Sequence, residues 1–172
     1  MKEFDSHQYG FCKGKSAEDC INKVLSEIRI LRDKRRYVAV VSLDIHGAFD
    51  HVYHEEAIKA MRNRGVPQYI TGIMTDYFKG RRVSVESKSM SMNRGCPQGS
   101  VLGPTIWNLI YDTVLKLLKE LGIIAYAFAD DTLLLVPADS REELDTKVKT
   151  AVDVLIEKFN ELGLTLNFDK TI

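Results

Sequence analysis

Apolar residues recur at helical spacing early in the chain and then give way to a short, continuous apolar run. The capping-box-like sequence Ser16-Ala-Glu-Asp19 opens the periodic part, which predicts a helix over residues 16–34. Residues 37–45 are β-branched, apolar and too few for a helix, so they predict a buried strand with Asp44 near its end. The same reasoning predicts helices over 55–64 and 67–79, and a hairpin formed by 81–87 and 89–93.

A Gly- and Pro-rich segment at 95–104 separates this first part from a long apolar helix that ends near Gly122. Two apolar strands follow, and only Asp130-Asp131 lies between them, which predicts a hairpin with a two-residue turn. The predicted segments are strands 123–129 and 132–136, a helix over 140–162 and a last strand over 164–168. This order predicts an α+β fold, in which helices pack on one face of an antiparallel sheet.

The composition is that of one folded domain, and its charges cancel. The 172 residues carry 24 Lys and Arg against 24 Asp and Glu, which argues against a polybasic protein. The balance is positional, because residues 1–100 have a basic excess of five and residues 101–172 an acidic excess of five. Three cysteines suggest reduced thiols rather than a disulfide framework. No apolar run is long enough for a membrane span, so we expect an intracellular protein without a membrane partner.

Three acids stand where apolar residues would be more stabilising. Asp44 closes an apolar strand, and Asp130 and Asp131 are adjacent like charges in a hairpin turn. Asp is an ordinary turn residue, so a structural turn remains one interpretation. A carboxylate cluster that binds hard divalent cations such as Mg²⁺ is the other, and spacing alone does not decide between them.

Four segments, taken in order, resemble successive palm motifs of reverse transcriptases, in the style of non-LTR (LINE-like) retrotransposons. They are Val41-Ser-Leu-Asp-Ile-His-Gly-Ala-Phe-Asp50, Arg94-Gly-Cys-Pro-Gln-Gly-Ser-Val-Leu-Gly-Pro104, Ala127-Phe-Ala-Asp-Asp-Thr132 and Leu162-Gly-Leu-Thr-Leu-Asn-Phe-Asp-Lys-Thr171. The opening Gln8-Tyr-Gly-Phe-Cys-Lys-Gly-Lys-Ser16 resembles the family's motif at the end of the fingers. His46 and Cys12 depart from the usual residues, yet neither departure touches the three acids.

The resemblance implies an RNA-directed DNA polymerase that works by two-metal-ion phosphoryl transfer. Asp44 and Asp130 would be the principal metal ligands, Asp131 the third acid and the carbonyl of Ile45 a further ligand, for two Mg²⁺ ions that Mn²⁺ can replace. Lys170 would stand near the pyrophosphate leaving group. The implied partners are an RNA template, a DNA primer and deoxynucleoside triphosphates.

The resemblance also implies residues that contact the substrates. Phe49 matches a steric gate that leaves no room for a 2′-hydroxyl, and Gly99 would let backbone approach the incoming nucleotide. Pro97 and Gln98 belong to the same segment as Gly99. Five arginines in two basic runs are the candidates for binding nucleic acid: Arg35, Arg36, Arg81, Arg82 and Arg94.

The resemblance covers nearly the whole chain but part of the polymerase only. Residues 1–36 would be the end of the fingers and 37–172 the palm with inserted helices and a hairpin, without a thumb, so the isolated chain should be nearly inactive. Two alternatives remain open. One is another enzyme with this palm, such as a group II intron maturase, a retron or a telomerase. The other is a domesticated copy that binds nucleic acid without polymerising. Family resemblance suggests copying in the nucleus and leaves the oligomeric state unknown.

Overall fold

The structure is a computed structural model that describes residues 3–34, 36–96 and 99–171. Helices and strands alternate along the chain in a mixed order rather than in βαβ units. The elements are α1 Ala17–Asp33, β1 Tyr37–Leu43, α2 Ala48–His51, α3 His54–Asn63, α4 Gln68–Phe78, β2 Arg82–Val85, β3 Lys88–Ser91, α5 Gly103–Glu120, β4 Ile124–Phe128, β5 Asp131–Ala138 and α6 Arg141–Leu162. The predicted helices are confirmed to within a residue or two, whereas the short α2 was not predicted.

The central sheet has the strand order β1-β5-β4, and both pairings are antiparallel. Tyr37 pairs with Ala138 at one end of the sheet and Leu43 pairs with Thr132 at the other. The residues before α1 lie along the outer edge of β4, where Gln8 bridges Ala127 in parallel. Two backbone hydrogen bonds hold this edge segment: Tyr9 N donates to Ala127 O at 2.8 Å and Ala127 N donates to His7 O at 2.9 Å.

Helices cover both faces of the sheet, which corrects the prediction of helices on one face. The α5 and α6 side chains pack on the face that carries Leu134 and Val136. The α1 side chains Val24 and Leu31 pack on the opposite face, against Leu135 and its neighbours. The physical reason is that β5 is apolar at consecutive positions, and a strand whose two faces are both apolar must be covered twice.

Two further predictions about the sheet need correction. The predicted last strand over 164–168 is reduced to one bridge, between Leu166 and Ile45, in the part of the chain that the structure describes. The hairpin turn is shifted by one residue, because Phe128 pairs with Asp131 and leaves Ala129 and Asp130 as the two turn residues. Asp131 is therefore the first residue of β5 rather than part of the turn.

A buried ion pair ties the amino-terminal segment to the helices. Arg64 Nη1 lies 2.6 Å from Asp112 Oδ2, and both side chains are almost fully buried. Asp112 Oδ1 also accepts a hydrogen bond of 2.7 Å from the backbone N–H of Asp5, and the Arg64 guanidinium lies 4.1 Å from the centre of the Phe4 ring. Lys116 also pairs with Asp112 at 2.5 Å, but removing Asp112 would leave the buried Arg64 charge uncompensated, so this cluster fixes α3, α5 and the amino-terminal segment together. No helix among the described residues has the length and apolarity needed to cross a membrane.

Candidate active site

The three acids come to the same end of the central sheet. β1 ends at Leu43, which pairs with Thr132. Continuing this antiparallel register by one residue sets Asp44 opposite Asp131. Asp130 precedes Asp131 in the hairpin turn, so the fold brings two acids of one hairpin beside an acid that lies 86 positions earlier in the chain.

Burial and neighbouring charges both act on Asp130. Partial burial raises the pKa of its carboxyl group, and the negative charges of Asp131 and Asp44 raise that pKa further, against a backbone hydrogen bond that lowers it. A cluster of like charges of this kind is unfavourable unless a cation compensates it. The electrostatics therefore agree with the register, because Asp44 and Asp131 are both close enough to raise the pKa of Asp130.

Hard oxygen donors of this kind suit a divalent cation such as Mg²⁺. The donors available at this end of the sheet are three carboxylates and the backbone of Ile45, which is buried and bridged to Leu166. Across the described residues, no group of three or more His, Cys, Asp or Glu side chains is already arranged to hold a metal ion. The residues fit the cation by the chemistry of their oxygen donors and by the repulsion that a cation would relieve.

Two residues after α6 contact Asp44. Asn167 Nδ2 donates to Asp44 Oδ2 at 2.7 Å, and the backbone N–H of Asn167 donates to Asp44 O at 2.8 Å. Lys170 Nζ lies 3.9 Å from Asp44 Oδ2, and its side chain is 71% exposed. The sequence predicted Lys170 at the site but missed Asn167, because pairing between residues 123 positions apart leaves no local signal.

A column of stacked aromatic rings, formed by Tyr111, Trp107 and Phe49, lies beneath the acids. The sequence did not predict it. Tyr111 forms a hydrogen bond of 2.6 Å with Thr132 Oγ1, directly next to Asp131 along β5. Burial raises the pKa of Tyr111, and the charges of Asp130 and Asp131 act in the same direction. A phenol held neutral beneath the site adds no further charge to the acidic cluster.

Phe49, in α2, continues this column. Its ring stacks on Trp107 with centroids 5.1 Å apart, and Trp107 in turn stacks on Tyr111 at 5.2 Å. The partly exposed ring also meets the edge of Phe11 at 6.0 Å. Phe49 is thus a fixed, flat surface five residues after Asp44.

Of the segment predicted to contact a nucleotide, Pro97 and Gln98 lie outside the described residues. The residues before them are anchored, because Gly95 N donates to Val52 O at 2.8 Å and Cys96 N donates to Phe49 O at 2.7 Å. Gly99, after them, has a φ of 78° with open space around it. The residue that precedes this segment, Cys96, is therefore hydrogen-bonded to the backbone of Phe49.

The predicted nucleic-acid-binding arginines are dispersed. Arg36 forms an ion pair of 2.8 Å with Asp139, at the end of β1 that lies roughly 20 Å from Asp44 at about 3.3 Å per strand residue. The Arg81 guanidinium lies 4.7 Å from the Tyr77 ring centre, and Arg82 Nε donates to Ser89 Oγ at 3.0 Å. Arg94 is exposed beside its bridge to Tyr53, while Arg35 falls outside the described residues. The structure brings none of the described arginines into contact with the acids, and their role stays a prediction.

Comparison with known proteins gives the family of the chain. The whole chain, residues 1–172, matches the family described as reverse transcriptase (RNA-dependent DNA polymerase). A 115 kDa protein in type-1 retrotransposable element R1DM of Drosophila melanogaster is 33% identical over 96% of this chain and 16% of its own length. A Pol polyprotein from type-1 retrotransposable element R1 of Bradysia coprophila is 32% identical over 84% of this chain and 15% of its own length. The chain therefore spans about a sixth of these relatives.

A solved structure shows the same fold. Telomerase from Candida tropicalis, solved with a fragment of telomeric RNA, superimposes on 96% of this chain and 30% of its own length, with a TM-score of 0.72 and 12% identity. At that identity the likeness concerns the fold alone, and it confirms the predicted α+β architecture. The match over the whole chain and the identity to retrotransposon proteins confirm the resemblance found in the motifs: the chain belongs to the reverse transcriptase family.

Proposed function

We propose that the chain is the catalytic palm of an RNA-directed DNA polymerase that serves retrotransposition. The observation that carries this proposal is the convergence of Asp44, Asp130 and Asp131 at one end of the sheet, with the pKa of Asp130 raised partly by its two neighbours. Family membership supports it, and so do relatives whose names place them in type-1 retrotransposable elements. The proposed division into the end of the fingers and a palm follows from the motifs.

The reaction would join a primer 3′-hydroxyl to the α-phosphate of a deoxynucleoside triphosphate, with release of pyrophosphate. The carboxylates of Asp44, Asp130 and Asp131 would hold two Mg²⁺ ions, which lower the pKa of the attacking hydroxyl and neutralise charge that develops on the phosphate oxygens. Asn167 orients Asp44 through two hydrogen bonds. The exposed ammonium of Lys170 is free to turn from Asp44 towards the departing pyrophosphate.

The remaining residues would position the substrates. The fixed ring of Phe49 would lie under the sugar of the incoming nucleotide and exclude a 2′-hydroxyl. Segment 97–99, which begins where Cys96 is bonded to Phe49, would run along the nucleotide and the template. An RNA template and a DNA primer would supply the paired strand whose end reacts.

Conservative substitutions at the acids test the proposal. Asp44→Asn and Asp130→Asn keep side-chain shape but remove a charged oxygen ligand, so Mn²⁺ affinity of the chain should fall steeply. Primer extension by a full-length polymerase that carries this segment should fall by more than the 10- to 100-fold typical of residues that only support a ligand. Mn²⁺ titration by calorimetry and a primer-extension assay with RNA template measure the two effects.

Asp76→Asn is the matched control, because Asp76 is an exposed acid of α4 outside the site. It should leave both readouts at the wild-type value. The proposal fails if Asp44→Asn or Asp130→Asn polymerises as fast as wild type. It also fails if these variants and Asp76→Asn bind Mn²⁺ with the wild-type affinity.

A further inference from the structure

The side chain of Gln8 is hydrogen-bonded to the backbone of the turn that carries Asp130. Gln8 is 1% exposed, and its amide is engaged at both ends. Oε1 accepts hydrogen bonds from Gly10 N at 2.9 Å and from Ala129 N at 3.2 Å, while Nε2 donates to Ala129 O at 3.3 Å. One side chain thus satisfies both backbone groups of a single residue that lies 121 positions away.

Ala129 is held in a conformation that it would otherwise avoid. Its φ is 61°, in the left-handed region where a Cβ crowds the backbone and where glycine or asparagine is usual. Ala129 is the first residue of the two-residue turn, and Asp130 is the second. Because the N–H and the C=O of Ala129 belong to the two peptide planes that flank it, fixing both sets the direction in which the chain enters Asp130.

The segment that carries Gln8 is itself held in place by further contacts. Gly10 lies so close to the turn that a Cβ on it would come within 2.0 Å of Ala129 N. The buried Asn108 of α5 donates to Gly10 O at 3.0 Å, and the Gln8 backbone is bridged to Ala127 of β4. The segment is therefore attached to the sheet on one side and to α5 on the other, which makes Gln8 a rigid support rather than a mobile side chain.

We infer that Gln8 is a positioning residue for the metal site, one that holds the Ala129-Asp130 turn in the arrangement that lets Asp130 act as a ligand. This inference rests on the proposed function, since it concerns the same three acids. Residues that support a ligand through hydrogen bonds change metal affinity by 10- to 100-fold when they are replaced. Gln8 touches no substrate and would act only through the turn.

The experiment compares Gln8→Met with Gln68→Met in the 172-residue chain. Methionine matches glutamine in length but offers no N–H donor and only a weak acceptor. In metal-free protein, amide hydrogen exchange of Ala129 should accelerate at least tenfold in Gln8→Met, because its N–H loses its partner. Mn²⁺ affinity, measured by calorimetry, should fall by about 10- to 100-fold. Gln68 is exposed at the start of α4, so the same substitution there should change neither quantity.

A conservative variant separates this role from general packing. Gln8→Glu keeps the oxygen that accepts from Ala129 N but, when ionised, loses the donor to Ala129 O, so Ala129 exchange should stay closer to wild type than in Gln8→Met. If Gln8→Met has lost its near-ultraviolet circular dichroism, and so is not folded, Gln8→Asn takes its place beside Gln68→Asn. Asparagine is one methylene too short to reach Ala129, and the same two changes are expected from it.

The outcomes distinguish the two proposals. Unchanged Mn²⁺ affinity in the folded Gln8 variant, with or without faster exchange at Ala129, overturns the positioning role while the metal site stands. Equal acceleration of Ala129 exchange in Gln8→Met and Gln8→Glu overturns it as well, since the loss of the acceptor for Ala129 N would then not explain the effect. If Asp130→Asn binds Mn²⁺ as tightly as wild type, the proposed function itself fails, whatever the Gln8 variants do.

Discussion

The ring of Phe49 is partly exposed, and contacts with two other rings hold it in place. Trp107 supports one face of its ring and the edge of Phe11 limits its movement, so the exposed part keeps a fixed outline. If that outline excludes a 2′-hydroxyl, Phe49→Val should raise the ratio of ribonucleotide to deoxynucleotide incorporation by at least about tenfold, the discrimination that a small steric change supplies. Single-nucleotide incorporation by a full-length polymerase carrying this segment measures the ratio.

Phe11→Val is the control for this prediction, because it removes a neighbouring ring that the proposal does not place under the sugar. A ratio that stays constant in Phe49→Val, with both rates falling together, would show that the ring serves packing alone. A rise in both variants would locate the selectivity in the whole aromatic group.

At the scale of residues, the sequence predicted those candidate site residues that belong to local motifs. The three acids and Phe49 follow from Asp-Ile-His-Gly-Ala-Phe and Ala-Asp-Asp, and the fold brings the acids together. Asn167 and Gln8 were missed, since their partners lie more than 120 positions away and depend on register rather than on local pattern. Gln8 opens the motif at the end of the fingers, but nothing in that motif predicted its contact with Ala129.

Two glycines give contrasting predictions at the scale of elements. A Cβ on Gly10 would collide with the Ala129 backbone, so Gly10→Ala should push the amino-terminal segment away from β4 and destabilise the fold by about 1–3 kcal/mol, as overpacking does. Gly72 lies inside α4 with open space around it, so Gly72→Ala should stabilise by about 0.5–1 kcal/mol through helix propensity. Urea denaturation of the two variants beside wild type measures both.

The opposite signs make this pair its own control. Equal destabilisation by the two substitutions would mean that the chain responds to any added methyl group rather than to the contact at Ala129. A neutral Gly10→Ala would contradict the close approach of the amino-terminal segment to the hairpin.

Elements were predicted well where the pattern is long and capped. Ser16 forms a full capping box with Asp19, as expected, and α6 ends at Leu162 as predicted, with Gly163 in the left-handed conformation. The failures concern tertiary choices: α1 was not expected on the second face of the sheet, and residues 164–168 have a strand-like sequence but only one bridge. Which face a helix covers, and how far a final segment pairs, depend on neighbours that periodicity does not specify.

At the scale of the whole molecule, two histidines predict that the folded state is less stable at acidic pH. Burial lowers the pKa of His54, and the positive charge of Arg81 lowers it further. The Nε2 of His54 donates to Gly95 O at 2.9 Å. Burial likewise lowers the pKa of His7, in the segment beside β4. Both groups bind protons more readily in the unfolded chain, so the stability they contribute is complete above their ordinary pKa of 6.5 and is lost as the pH falls below it.

The free energy of unfolding should therefore decline as the pH falls from about 7 to about 5. The decline should be smaller in His54→Gln, and the part that remains includes the contribution of His7. Urea denaturation at several pH values provides the measurement. A slope in His54→Gln identical to that of wild type would assign the acid sensitivity to other groups.

The basic and acidic halves of the chain do not form two regions of the molecule. β1, from the basic half, pairs along its length with β5, from the acidic half, and Asp44 joins Asp130 and Asp131 across that boundary. Arg36 is bound to Asp139 in the same way. Net charge counted along the sequence thus does not locate a nucleic-acid channel, because the sheet mixes the two halves at the level of single residue pairs.

The pairing of His7–Tyr9 with β4 has a consequence for how the protein is made. Synthesis proceeds from the amino terminus at about 5–20 residues per second, so this segment waits roughly 6–24 seconds for residue 127 to emerge from the ribosome. Until then residues 7–9 have no strand to pair with, and the amide of Gln8 has no partner. The centre that would carry the chemistry therefore cannot form before β4 and β5 are made, and a nascent chain stalled before β4 would expose unpaired backbone that favours aggregation and would not be active.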